Sequence, residues 1–140
     1  MSTLVTNHRR SLVGSVLAVF LVLHGIAHFV GVSGNIGSIA DNDRVDLLGG
    51  AFTTSNDLVF GVLAVAWALL GLGFWVVAVL VWRGTPSAGR ALVAVSVASL
   101  CVGVMNLWEG VVGLPINAAL IAMALLAPQA AGLAEGRTSH

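Results

Sequence analysis

The sequence predicts an all-α integral membrane protein, a four-helix bundle with both termini in the cytoplasm. Three observations predict it. Hydrophobic residues make up 58% of the 140, with a mean hydropathy of +1.00. Charged residues make up only 9%, against about 25% in a soluble domain, too few to coat a globule in water. Four apolar runs are separated by polar or glycine-rich connections. A chain of this length reads as one domain, residues 1–140.

The first run spans about residues 12–32, the second 58–82, the third 91–108 and the fourth 111–127. A helix crosses the hydrocarbon core with roughly 17–25 apolar residues. The first three reach that length comfortably. The fourth is the shortest and carries Pro115 near its start, where a first-turn proline costs little. Helices are expected because lipid leaves no water to satisfy an open backbone. The alternation of a membrane barrel strand is absent from the sequence.

Residues 33–57, with Gly34, Gly37, Gly49, Gly50 and four Asp, read as a long extracytoplasmic loop. Residues 83–90 read as a short turn, and the gap around Glu109 and Gly110 as a tight antiparallel hairpin. Arginine sets the orientation. Arg9, Arg10, Arg83, Arg90 and Arg137 fall on one side, and Arg44 alone falls on the other. Cytoplasmic segments carry the Arg excess. Both termini, the 83–90 turn and the tail 128–140 are therefore expected inside, in a multi-pass protein of a bacterial inner (plasma) membrane. Trp82 and Trp108 sit at span ends, where indoles favour the interface. A cleavable leader ending near Ser38-Ile39-Ala40 is the rival reading of the first run, but an apolar stretch near 20 residues is too long for one.

Net charge is zero and there is no Lys, so no basic stripe is available for nucleic acid. The expected partners are the lipid bilayer and a second copy or another membrane protein. Cys101, the only cysteine, excludes an intrachain disulfide and reads as a packing residue. Small residues four apart, Ala64/Ala68, Ala94/Ala98, Ala118/Ala122 and Ser99/Gly103, read as helix-packing stripes within the chain, with a dimer interface as the alternative.

Polar residues inside apolar spans are costly and point to function. His24 and His28, at i,i+4, share a helix face. Asn106 and Glu109 end the third span, Asn117 opens the fourth, and Trp67 lies deeper in the second. The topology gathers all six in the outer half, where they form a candidate ligand or proton pocket. Three chemistries stay open. His24 and His28, with Glu109 as a third ligand, form a candidate divalent-metal site. The cluster also suits a small polar or quinone-like headgroup, or a proton relay. In the third, the histidines are structural, hydrogen-bonded to Asn106, Glu109 or backbone as a clamp. Haem is not expected, because two imidazoles on one helix face cannot take opposite faces of a haem.

The run Leu23-His24-Gly25-Ile26-Ala27-His28-Phe29-Val30-Gly31 resembles the first-helix pattern of the DoxX-like family of small four-helix bacterial membrane proteins. His28 stands where that family usually has Lys. The acidic residue of the family's second helix has its nearest counterpart in Asp57. The resemblance implies an auxiliary redox or quinone-interacting subunit. The alternative is a non-catalytic structural or partner-binding membrane protein with a histidine clamp.

Overall fold

The computed structural model describes residues 2–41, 43–128 and 133; for residues 2–11, Val45, Trp108 and Glu109 it describes the backbone alone. Helix α1 runs Ser2–Asp41, β1 Val45–Leu47, β2 Phe52–Thr54, α2 Asp57–Trp82, α3 Ala88–Met105, α4 Leu107–Gly110 and α5 Gly113–Leu126. Among the described residues three helical stretches, Leu12–Asp41, Asp57–Trp82 and Ala88–Met105, are long and apolar enough to cross a membrane. The all-helical architecture is thus as expected, with one small hairpin added. Most of the tail expected at 128–140 lies outside the described residues.

The connection expected over residues 33–57 is shorter than that. Helix α1 continues through Gly34 and Gly37 to Asp41. At 1.5 Å per residue its 40 residues extend about 60 Å, twice the roughly 30 Å hydrocarbon core. Glycine lowers helix propensity without ending a helix, as proline would. Polar side chains here also bond back one turn: Ser33 Oγ donates to the Phe29 carbonyl (3.1 Å) and Asn35 Nδ2 to the Gly31 carbonyl (2.7 Å). The remainder folds into an antiparallel hairpin with Val45 opposite Thr54 and Leu47 opposite Phe52. Thr53 Oγ1 donates to Asp46 Oδ1 across it (2.7 Å).

Helix α2 opens with a side-chain cap, Asn56 Oδ1 accepting from the Leu58 amide (2.9 Å), and carries Asp57 in its first turn. Both features satisfy the positive end of a helix. Helix α3 stops at Asn106, whose backbone leaves the helical region (φ −113°, ψ 69°). The single turn α4 follows, and then the 14 residues of α5.

The helices pack in the order α1–α2–α3–α5. Helices α1 and α2 cross where Gly25 meets Gly71: a Cβ on Gly25 would lie 2.8 Å from the Gly71 carbonyl oxygen, and one on Gly71 2.9 Å from that of Gly25. Trp75 Nε1 donates to the Val22 carbonyl beside this crossing (3.1 Å). A second backbone contact, Gly103 against Gly110, folds α3 onto the α4–α5 segment. The alanine stripes do less than expected. Ala64 is buried, but Ala94, Ala98, Ala118 and Ala122 face outward, as does Cys101. The larger neighbours Leu92, Leu120 and the glycine pairs occupy the interior instead, because that is where volume must be filled or backbones must touch.

The core is divided along its length. Toward the N-terminal end of α1 it is apolar, built on Leu17, Leu21, Phe74, Val77, Leu92 and Leu120. Toward the β-hairpin end the buried polar side chains His24, His28, Ser99, Asn106 and Asn117 join the apolar Phe60, Leu63 and Trp67 of α2.

Candidate functional site

His24 and His28 both point inward from α1, 7% and 5% exposed. Their spacing of four places one above the other, with ring centroids 4.8 Å apart and nearly perpendicular. Phe74 meets both rings edge-on or tilted, at 4.6 and 5.0 Å, and marks the floor between the apolar and polar halves of the core. Trp67 flanks His28 at 5.3 Å, and Phe20 stacks on His24 at 6.0 Å.

The acceptor chemistry sets the direction of each hydrogen bond. A carbonyl oxygen only accepts, so His28 Nδ1 carries a proton and donates to the His24 carbonyl (2.9 Å). In a neutral imidazole Nε2 is then bare, and it accepts from Ser99 Oγ (2.9 Å). Ser99 Oγ accepts from Asn117 Nδ2 (2.8 Å). Asn117 Oδ1 accepts from His24 Nε2 (3.2 Å). The chain of donors thus starts and ends on residue 24, with the Ser99 hydroxyl both donating and accepting. Three helices are joined at one level: α1 through the histidines, α3 through Ser99 and α5 through Asn117.

This geometry limits the chemistry. Both Nε2 atoms point at protein partners, so a metal held by both would have to break the His24–Asn117 and His28–Ser99 bonds. Among the described residues no group of three His, Cys, Asp or Glu gathers around one point. Glu109, the expected third ligand, has its side chain outside the described residues. A proton relay from one imidazole to the other would have to pass through the Asn117 amide, which does not titrate and holds both protons on its nitrogen.

Of the other expected site residues, Asn117 and Trp67 join the histidines. Asn106 is buried (2% exposed) at the α3–α4 junction, where its carbonyl accepts from the Gly110 amide (2.9 Å). Of the partners expected for the histidines, Asn106, Glu109 or backbone, the structure shows a backbone carbonyl, that of His24, and it adds Ser99 and Asn117. Sequence reading had assigned Ser99 to a packing stripe. The signal for it was periodicity: Ser96, Ser99, Gly103 and Asn106 recur at intervals of three and four, one face of a helix.

A cavity of about 360 Å³ lies beside the ring, lined by His24, His28, Trp67, Ser99 and Asn117 together with Gly31, Gly113 and Ile116. Trp67 lines this cavity, but its Nε1 is itself buried without a hydrogen-bond partner among the described residues, as is Ser96 Oγ in α3. Compared with known proteins, the chain matches no protein-family model, no curated protein and no solved structure. Nothing in these comparisons bears on the DoxX-like resemblance.

Proposed function

We propose that this chain is a multi-pass membrane protein, its termini cytoplasmic, whose histidine pair is a non-catalytic clamp serving a binding or partner role. Membrane residence is supported by the outward side chains: Val62, Val65, Leu69 and Val76 of α2 are each at least 60% exposed, an apolar face far larger than soluble monomers show. The arginine distribution supports the orientation. The clamp reading is carried by one observation, the hydrogen-bond ring that joins three helices and returns to its starting residue.

The test compares amide and apolar replacements. Gln places its amide near the reach of an imidazole Nε2, so His24→Gln and His28→Gln keep the bonds to Asn117 and Ser99. Their thermal midpoints in detergent should stay close to that of the unaltered protein. His24→Leu and His28→Leu should each lose roughly 1 kcal/mol, since an interhelical bond in a membrane averages about 0.6 kcal/mol and stranded partners add to the cost. A chelator should leave all five proteins unchanged. Chelator-sensitive stability in the unaltered protein alone would replace the clamp with a metal centre.

A further inference from the structure

The connection between α1 and α2 carries an apolar tip. Residues 47–52 read Leu-Leu-Gly-Gly-Ala-Phe, a run with no polar side chain. Turns in water draw on Asn, Asp and Ser, whose side chains bond the local backbone. Here Leu48 itself takes the left-handed conformation (φ 52°), followed by Gly49 (φ 68°) and Gly50 (φ 95°). That region is uncommon for a residue with a Cβ, and Asn or Asp tolerates it better. Leu48 and Phe52 nonetheless stand 47% and 64% exposed. The hairpin has two unlike faces. Leu47 pairs with Phe52 and Asp46 with Thr53, so the apolar and polar pairs lie on opposite sides. The polar pair is closed by its own hydrogen bond, from Thr53 Oγ1 to Asp46 Oδ1.

One contact fixes the depth of the tip. A Cβ on Gly49 would sit 3.6 Å from Leu107 Cδ2. Leu107 follows the end of α3, whose 18 residues extend about 27 Å, close to the roughly 30 Å hydrocarbon core. The tip is therefore level with the end of a membrane-length helix. Gly34 of α1 and Gly110 of α4 line one cavity, and α1 runs on from there to Asp41. The chain thus climbs past this level and returns to it in the hairpin. We propose that the β1–β2 hairpin is an interfacial anchor whose tip, through Leu48 and Phe52, inserts among the lipids of the adjacent leaflet. Apolar side chains at that level gain by leaving water, while the bonded Asp46–Thr53 pair keeps the wet side. The surface that fits is zwitterionic, because Asp41, Asp43, Asp46 and Asp57 outnumber Arg44 in this segment and an anionic surface would repel them. The proposal rests on the membrane reading above, and the experiment separates the two.

The experiment uses the full chain with Cys101→Ala in phosphatidylcholine nanodiscs. A nitroxide spin label is attached to one new cysteine at a time: Leu48→Cys, Phe52→Cys, Thr53→Cys and Val65→Cys. All four positions are exposed. Power saturation then compares collisions with oxygen, which concentrates in hydrocarbon, and with a neutral nickel chelate, which stays in water. Oxygen should dominate at 48 and 52 and the chelate at 53, a reversal between neighbouring residues. Chelate dominating at both 48 and 52 would put the tip in water and overturn the proposal. So would a label at 52 shielded from both reagents, which would mean that protein covers this face. Val65, 60% exposed on α2, is the internal control. Oxygen at 65 with chelate at 48 and 52 removes the anchor and leaves the membrane reading standing. Chelate at 65 removes both.

Discussion

Ser96 and Ser99 lie one turn apart on α3, 0% and 1% exposed, yet their hydroxyls differ in what they meet. Ser99 Oγ gives a bond to His28 and takes one from Asn117, so Ser99→Ala strands two buried groups on other helices. Ser96 Oγ has no partner among the described residues. The cost of an unmade hydrogen bond falls on whatever is left unpaired. Ser99→Ala should therefore lower stability by about 1–2 kcal/mol in a detergent unfolding series. Ser96→Ala should be neutral or raise it. Equal losses from both would mean that shape, not bonding, dominates this face of α3.

At the α1–α2 crossing the geometry leaves no room for adjustment. A Cβ on Gly25 meets Trp75 Cδ1 and Nε1 at 2.7 Å and a backbone oxygen at 2.8 Å. A side chain can turn away, but a carbonyl in a helix cannot, so the helices must separate. Gly25→Ala should cost about 1–3 kcal/mol, the usual range for overpacking, and should also weaken the Trp75–Val22 bond. Gly61 is the control: it lies in α2 with nothing within 4 Å of its Cβ position, and Gly61→Ala should not lower the unfolding midpoint. Helix α5 raises a matter of length. Its 14 residues extend about 21 Å, short of the core, whereas Leu107 to Leu126 together extend about 30 Å. The Gly103–Gly110 contact holds the α4–α5 segment against α3.

Among the described residues the helices put Arg9, Arg10, Arg83 and Arg90 at the end opposite the β-hairpin, with Arg44 beside the hairpin. In the orientation proposed above from the positive-inside rule, the hairpin lies outside. Cysteine at Ser55, exposed between β2 and α2, should react with an impermeant maleimide in intact cells on a Cys101→Ala background. Cysteine at Pro86, exposed in the opposite turn, should react only after the cells are opened. The reverse pattern would turn the molecule over and put the polar cluster at the cytoplasmic face.

Much of this was legible in the chain. Apolar run length marks a membrane-scale helix because lipid sets a thickness and forbids an open backbone, so the extents of α2 and α3 were read to within about three residues. The inward face of His24 and His28 was legible too, since two polar groups at i,i+4 in an apolar run have one affordable direction. The continuation of α1 through Gly34 and Gly37, and the outward turn of the Ala94 and Ala118 stripes, were not. Glycine and alanine carry no directional cost in lipid, so only the neighbours available for packing decide where they lie. The identity of the histidines' partners was likewise a tertiary matter. Ser99 and Asn117 meet because the Gly103–Gly110 contact folds α5 back against α3, a pairing of distant segments that no local pattern encodes.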